Sequence, residues 1–129
     1  MIGSIPSRIF LYFREAHIIM EIREILKKYW GYPYFREKQE DIIAQAVNGK
    51  DVLALLPTGG GKSLCFQLPG LYLNGICLVV SPLIALMKDQ VSGLKSKGVK
   101  AVSITSSMNF RQIDYTLDNC VHGTIKFLY

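Results

Sequence analysis

The sequence predicts an open α/β fold in which helices cover both faces of a parallel sheet. Four apolar runs of about strand length, residues 52–56, 76–80, 101–105 and 125–129, alternate with helical stretches. The helices are expected to begin near Lys62, Pro82 and Asn109. Strands that are apolar throughout and separated by helices are typical of a parallel sheet buried on both faces.

Two further helices are expected before the first strand. From Glu21, apolar residues follow helical spacing, and Gly31 suits the left-handed position just past a helix end. A second amphipathic pattern at residues 42–47 closes at Asn48-Gly49. Residues 1–19 differ in composition and are interpreted as an appendage, which would be absent if translation began at Met20. Residues 20–129 are interpreted as the N-terminal part of the domain.

Two later helices carry recognisable start signals. Ser81-Pro82 predicts an N-cap followed by proline at the first helical position. Asn109 and Gln112 have the spacing of a capping box.

Composition excludes some classes of protein. No apolar stretch in the 129 residues approaches the roughly 20 needed to cross a membrane, and a signal peptide is not expected. Cys65, Cys77 and Cys120 lie far apart without metal-ligand spacing, so they are expected to be reduced, as in a cytoplasmic protein. The net charge of +5 suits a phosphate-backbone partner, although many basic domains bind no nucleic acid.

A glycine-rich segment lies where the first strand is expected to turn into a helix. Three consecutive glycines, Gly59, Gly60 and Gly61, allow the backbone to point its N–H groups inward as an anion-binding nest. Lys62 can reach the β and γ phosphates of a nucleotide, and the Ser63 hydroxyl can ligate Mg²⁺. These two are the expected catalytic residues, and Thr58 and the glycines complete the phosphate site. The alternative is an ordinary glycine-rich loop with a solvated lysine, since Leu56 stands where the strict phosphate-loop pattern has glycine.

Three segments resemble motifs of the RecQ family of DNA helicases, which belongs to superfamily 2. The segment PTGGGKSLCFQ, residues 57–67, resembles motif I of that family, which also lacks the first glycine. Residues 31–39, GYPYFREKQ, resemble motif 0, and residues 80–91, VSPLIALMKDQV, resemble motif Ia. The resemblance implies part of a RecA-like domain that binds ATP with Mg²⁺ and acts on DNA.

The resemblance also implies roles for individual residues. Tyr32 and Arg36 would contact the adenine base, and Gln39 would read it through a bidentate amide contact. Single-stranded or partly duplex DNA would be contacted by motif Ia and by the hydroxyl-rich strand end that follows it; the expected residues are Ser81, Lys88, Gln90 and Thr105.

The family's Asp-Glu-x-His box, which supports ATP hydrolysis, is not found in the 129 residues. We therefore expect a fragment truncated before that box, inactive alone and marginally stable, from a parent enzyme that unwinds DNA in the 3′-to-5′ direction. Two alternatives stay open. One is a non-catalytic nucleotide-binding module, and the other is a different enzyme with this loop, such as a small-molecule kinase. Leu56 and the motif 0 residues argue against the kinase.

Overall fold

The computed structural model describes residues 7–129, and the predicted appendage therefore lies partly outside the described residues. The chain divides into two compact units, Met1–Leu73 and Asn74–Tyr129.

The first unit is built from three helices around one apolar core. They are α1 (Ser7–Trp30), α2 (Gln39–Val47) and α3 (Lys62–Tyr72). All three contribute fully or nearly fully buried side chains to the core, namely Ile18, Ile22, Leu26, Ile43, Leu64 and Leu68. The predicted helices at the end of α1, in α2 and in α3 are confirmed. Asn48 and Gly49 end α2 as expected, with the Gly49 N–H bonded to the Ala46 carbonyl.

Helix α1 begins earlier than the sequence pattern suggested. It is already helical at Ser7 rather than starting near Glu21. Ile18 is only 9% exposed and belongs to the same core as Ile22 and Leu26. The reason is the spacing of four residues between these three side chains, which aligns them on one face of a helix. Where the domain itself begins stays a prediction.

The strand predicted at residues 52–56 is not formed. This segment contains no strand, and Leu53 and Leu55 are 87% and 82% exposed. An apolar run has strand propensity, but a strand forms only when a neighbouring strand accepts its backbone hydrogen bonds. None of the described residues supplies one here, so the prediction was wrong on this point.

The second unit contains a three-stranded parallel sheet with two helices between its strands. Its elements are β1 (Cys77–Leu78), α4 (Ile84–Ser96), β2 (Ala101–Val102), α5 (Phe110–His122) and β3 (Phe127–Leu128). The strand order is β1-β3-β2, and Phe127 pairs with Cys77 on one side and Ala101 on the other. Phe127 is fully buried in this central strand. The parallel sheet is confirmed, although each strand is shorter than its apolar run.

The starts of the two sheet-associated helices differ from each other. Helix α5 has the predicted capping box, since the Asn109 side chain accepts from the Gln112 N–H and the Gln112 side chain accepts from the Asn109 N–H. Helix α4 does not start as predicted, because its N-cap is Leu83 rather than Ser81. Ser81 Oγ instead accepts from the Leu83 N–H at 3.3 Å, a local turn that stops the helix from including Pro82.

Candidate nucleotide-binding site

The glycine loop, residues 57–63, has the conformation of an anion-binding nest. A turn closes its first half, in which the Gly60 N–H donates to the Pro57 carbonyl at 3.0 Å. Gly59 and Gly61 have φ angles of 79° and 78°, whereas Gly60 between them does not have a positive φ. Alternating signs of φ in a glycine-rich loop are typical of backbone nests that bind anions. Only glycine adopts these angles without strain.

Several N–H groups of the loop are available to a ligand. Within the part of the chain that the structure describes, the N–H groups of Gly59, Gly61 and Lys62 have no hydrogen-bond partner. Lys62 is the first residue of α3, so the positive end of that helix dipole lies at the same place. Unpaired N–H groups at a helix N-terminus favour an anion.

The polar side chains predicted for this site lie on the loop and on the first turn of α3. Lys62 is exposed, and no acidic side chain among residues 8–129 lies within ion-pair distance of it. Ser63 follows it and is half-buried, whereas Thr58 is exposed. Lys62 and Ser63 thus lie at the end of the nest, and their roles in phosphate and Mg²⁺ binding stay predictions.

Arg36 and Gln39 contact the glycine loop through its carbonyl groups. Gln39 is 1% exposed, and its Nε2 donates to the Gly61 carbonyl at 3.1 Å. Its Oε1 accepts from the Arg36 N–H at 2.8 Å, and Arg36 Nη1 donates to the Gly59 carbonyl at 2.7 Å. Both ends of the Gln39 amide are therefore engaged within the protein. The resemblance to motif 0 predicted that this amide contacts adenine, whereas no local sequence pattern predicted its bonds to the loop.

A small cleft adjoins these residues. Its volume is about 180 Å³, below the roughly 300–1,000 Å³ typical of complete small-molecule sites, so it suits a single ring system. Its lining comprises Tyr32, Pro33, Tyr34, Arg36, Gln39 and Leu64. Tyr34 was not singled out from the sequence. Its position two residues after Tyr32 in an irregular segment was the only available signal.

The residues predicted to contact DNA all lie in the second unit. Ser81 and Thr105 each follow a strand, β1 and β2 respectively, and the carboxyl ends of parallel strands lie at the same sheet edge. With β3 between them, the two strands are roughly 10 Å apart. Thr105 Oγ1 lies 2.9 Å from Ser107 Oγ. Lys88 is exposed on α4, whereas Gln90 accepts a 2.8 Å hydrogen bond from the Tyr129 hydroxyl.

Comparison with known proteins gives a family for this arrangement. Residues 36–127 match the DEAD/DEAH box helicase family. The chain belongs to that family. It is 46% identical over 110 residues to a probable ATP-dependent DNA helicase RecS of Bacillus subtilis, covering 84% of this chain and 22% of the relative. It is 45% identical over 105 residues to the ATP-dependent DNA helicase RecQ of Haemophilus influenzae, covering 81% of this chain and 17% of the relative. The RecQ helicase of Pasteurella multocida is 41% identical over 117 residues, which cover 91% and 18%.

This helicase-family chain thus spans about a fifth of the length of these curated relatives. The matched range includes Arg36, Gln39 and the whole glycine loop, but Tyr32 and Tyr34 precede it. The RecQ resemblance read from the three motifs is confirmed by these relatives.

Each unit contains a cysteine that is at least partly buried. Cys65 lies behind the glycine loop, with its Sγ 3.7 Å from the Gly61 carbonyl, and burial raises the pKa of its thiol. Burial also raises the pKa of Cys77, against an opposing effect of Lys126. Among the described residues, no cluster of three His, Cys, Asp or Glu side chains could hold a metal ion. None of the helices described here is long and apolar enough to span a bilayer.

Proposed function

We propose that this chain is the N-terminal, ATP-binding part of a RecQ-type DNA helicase. The whole enzyme would couple ATP hydrolysis to 3′-to-5′ unwinding of DNA in repair and recombination. One observation carries the proposal. The glycine loop of a DEAD/DEAH box helicase domain presents three unpartnered N–H groups beside an exposed, unpaired lysine. The names of the RecQ and RecS relatives support DNA as the substrate. The cytoplasmic location expected from the cysteine usage stays a prediction.

The residues of the loop suit a nucleoside triphosphate with Mg²⁺. The N–H groups of Gly59, Gly61 and Lys62 would bind phosphate oxygens, and the Lys62 ammonium would neutralise charge on the β and γ phosphates. Added side chains would disturb this cradle, since a Cβ on Gly60 would lie 2.9 Å from the Pro57 carbonyl oxygen. Ser63 would hold Mg²⁺ together with the phosphates, because this ion prefers hard oxygen ligands. When bound, Mg²⁺ would supply positive charge that offsets the charge of the phosphates.

The small cleft suits the adenine base. Tyr32 and Tyr34 offer aromatic rings for stacking, and Arg36 offers a planar cation. The bonds to the Arg36 N–H and the Gly61 carbonyl leave one Nε2 hydrogen and one Oε1 lone pair of Gln39 unused, and these would contact adenine. We propose that stacking supplies most of the base affinity and that these remaining Gln39 groups select adenine over other bases.

Single-stranded or partly duplex DNA would lie along the carboxyl edge of the sheet in the second unit. Hydroxyl groups of Ser81 and Thr105 can donate to phosphate oxygens, and Lys88 adds a positive charge. Gln90 would contribute only after releasing the Tyr129 hydroxyl. Contacts of this kind bind DNA with little dependence on base sequence.

The first experiment tests the phosphate site. Isothermal titration of Mg·ATP into the chain should show binding that Lys62→Ala weakens at least tenfold, because a charge-assisted contact to phosphate is lost. Lys50→Ala is the matched control, since Lys50 is an exposed lysine of the same unit outside the loop. Equal ATP affinity in the Lys62→Ala and Lys50→Ala variants would refute the proposed phosphate site.

The second experiment tests the reaction class and the DNA surface. In the parent enzyme with its Asp-Glu-x-His box, DNA-stimulated ATP turnover supports a helicase, DNA-independent turnover supports a kinase-like enzyme, and binding without turnover supports a non-catalytic module. Fluorescence anisotropy of an oligothymidine should show weaker binding by Lys88→Ala than by the control Lys95→Ala. The slope of log affinity against log salt should fall by about 0.7 for one lost phosphate contact. An unchanged slope would remove Lys88 from the DNA surface.

A further inference from the structure

We infer that Arg36 and Gln39 are positioning residues for the glycine loop, and that they strengthen binding of the phosphates themselves as well as of the base. The inference rests on the proposed function, since it concerns the same loop. It assigns to these two side chains a role that a base contact does not include. The contacts that carry it run from side-chain donors to loop carbonyls.

The contact between Gln39 and Gly61 helps to determine the direction of the Lys62 N–H group. A trans peptide unit is planar, and its C=O and N–H bonds point in opposite directions. Gln39 Nε2 donates to the Gly61 carbonyl at 3.1 Å and, together with the Leu64 N–H at 3.2 Å, fixes the direction of that carbonyl. The N–H of Lys62, in the same peptide unit, must therefore point away from Gln39. This is one of the three unpartnered N–H groups of the nest.

Arg36 contacts the turn at residues 57–60, which precedes Gly61 in the loop. Arg36 Nη1 holds the Gly59 carbonyl at 2.7 Å. By the same planarity, the Gly60 N–H points the opposite way, toward the Pro57 carbonyl that it bonds at 3.0 Å. Arg36 thus stabilises the peptide orientation that closes the turn. Glycines explore both signs of φ readily, so an unheld loop would populate other orientations.

The Gln39 side chain, which anchors the loop, is itself held rigidly. Gln39 is the first residue of α2, a helix whose Ile43 lies in the core of the first unit. The Gln39 N–H donates to the Arg36 carbonyl at 3.1 Å, and its Oε1 accepts from the Arg36 N–H. The amide is buried and hydrogen-bonded at both its oxygen and its nitrogen, which favours a single orientation. A fixed anchor reduces the entropy that the loop loses when phosphate binds.

The decisive ligand is inorganic tripolyphosphate, which has the phosphates of ATP but no base. Titrations of the full chain with Mg²⁺ present should show that Gln39→Ala weakens tripolyphosphate binding about five- to tenfold, the equivalent of one hydrogen bond. Gln45→Ala is the matched control, an exposed glutamine of the same helix. The ¹⁵N–¹H resonance of Lys62 should also shift in ligand-free Gln39→Ala, which a role confined to the base would not produce.

Arg36 supplies a second test that does not disturb a buried residue. Arg36→Met should weaken tripolyphosphate binding, and Arg36→Lys should restore most of it by donating again to the Gly59 carbonyl. These titrations should be done in about 1 M salt. Long-range effects of charge are then screened beyond roughly 3 Å, so that the loss of the hydrogen bond is measured. Arg14→Met, which removes an exposed arginine of α1, is the control for net charge. If Gln39→Ala unfolds the chain by circular dichroism, the Arg36 variants decide.

Two outcomes would overturn the inference in different ways. If Gln39→Ala and Arg36→Met weaken ATP binding but leave tripolyphosphate affinity unchanged, both residues act on the base alone. The phosphate site would then stand, because Lys62→Ala would still weaken both ligands. If the unmodified chain binds neither ligand, the proposed function fails and the inference fails with it.

Discussion

Alanine substitution of two glycines in the glycine loop separates backbone strain from the loss of a specific contact. Gly59 and Gly61 have nearly the same φ, 79° and 78°, so alanine should incur the same strain of about 1–2 kcal/mol at either position. Their surroundings differ. A Cβ on Gly59 would meet no atom within 4 Å, whereas a Cβ on Gly61 would overlap the Gln39 amide nitrogen.

The magnitudes follow from that difference. Gly59→Ala should lower the combined free energy of unfolding and ATP binding by about 1–2 kcal/mol. Gly61→Ala should lower the same combined free energy by that amount plus about 1–3 kcal/mol. The reason is that the Gln39 N–H group loses its carbonyl partner while Gln39 stays buried. If the difference falls wholly on binding, Gly61→Ala binds ATP roughly 5- to 150-fold more weakly than Gly59→Ala.

The assay is urea unfolding together with titration of Mg·ATP, so that both free energies are measured for each variant. In a Gln39→Ala background, the extra loss at Gly61 should disappear, and the two glycine variants should become equivalent. Equal losses in the unmodified background would refute the argument, because they would leave strain as the only effect. An extra loss that persists without Gln39 would show that another contact causes it.

Three further predictions concern stability. Lys38 precedes α2 with a φ of 66°, so Lys38→Gly should relieve strain and raise the free energy of unfolding by about 0.5–1 kcal/mol; a lower urea midpoint would contradict this. Asn109→Ala should lower the free energy of unfolding by about 1 kcal/mol, because the capping box of α5 is lost. Asn119→Ala is the control inside the same helix, and it should keep the capping box. The raised pKa values of Cys65 and Cys77 predict stability that is complete below the unfolded thiol pKa near 9 and decreases as pH rises through the folded values. Thermal melts between pH 8 and 10.5 test this, and a Cys65→Ala, Cys77→Ala double variant should decline less.

Local sequence features predicted much of this protein because their physical causes are local. The capping box of Asn109 and Gln112 depends on two side chains one helical turn apart, and the structure contains both of its hydrogen bonds. The triple glycine predicted a loop with left-handed residues, which Gly59 and Gly61 provide. Helical spacing predicted α2 and the buried face of α1, since periodicity determines which residues share a face.

Start signals and strands were predicted less well where several local options compete. Ser81-Pro82 has the sequence of a helix start, yet the Ser81 hydroxyl bonds two residues ahead and α4 begins at Ile84. Residues 52–56 have the composition of a strand but no neighbouring strand among the described residues. Propensity cannot supply a hydrogen-bonding partner.

The sequence by itself determined that a lysine and a serine follow a flexible glycine bend at the start of a helix, which is sufficient to predict a phosphate site. Only the tertiary structure decided how that bend is held. Gln39 and Gly61 are 22 residues apart and meet because α2 and α3 pack into the same core. A buried amide takes its partner from whichever groups the packing brings within reach, and no sequence motif specifies that choice.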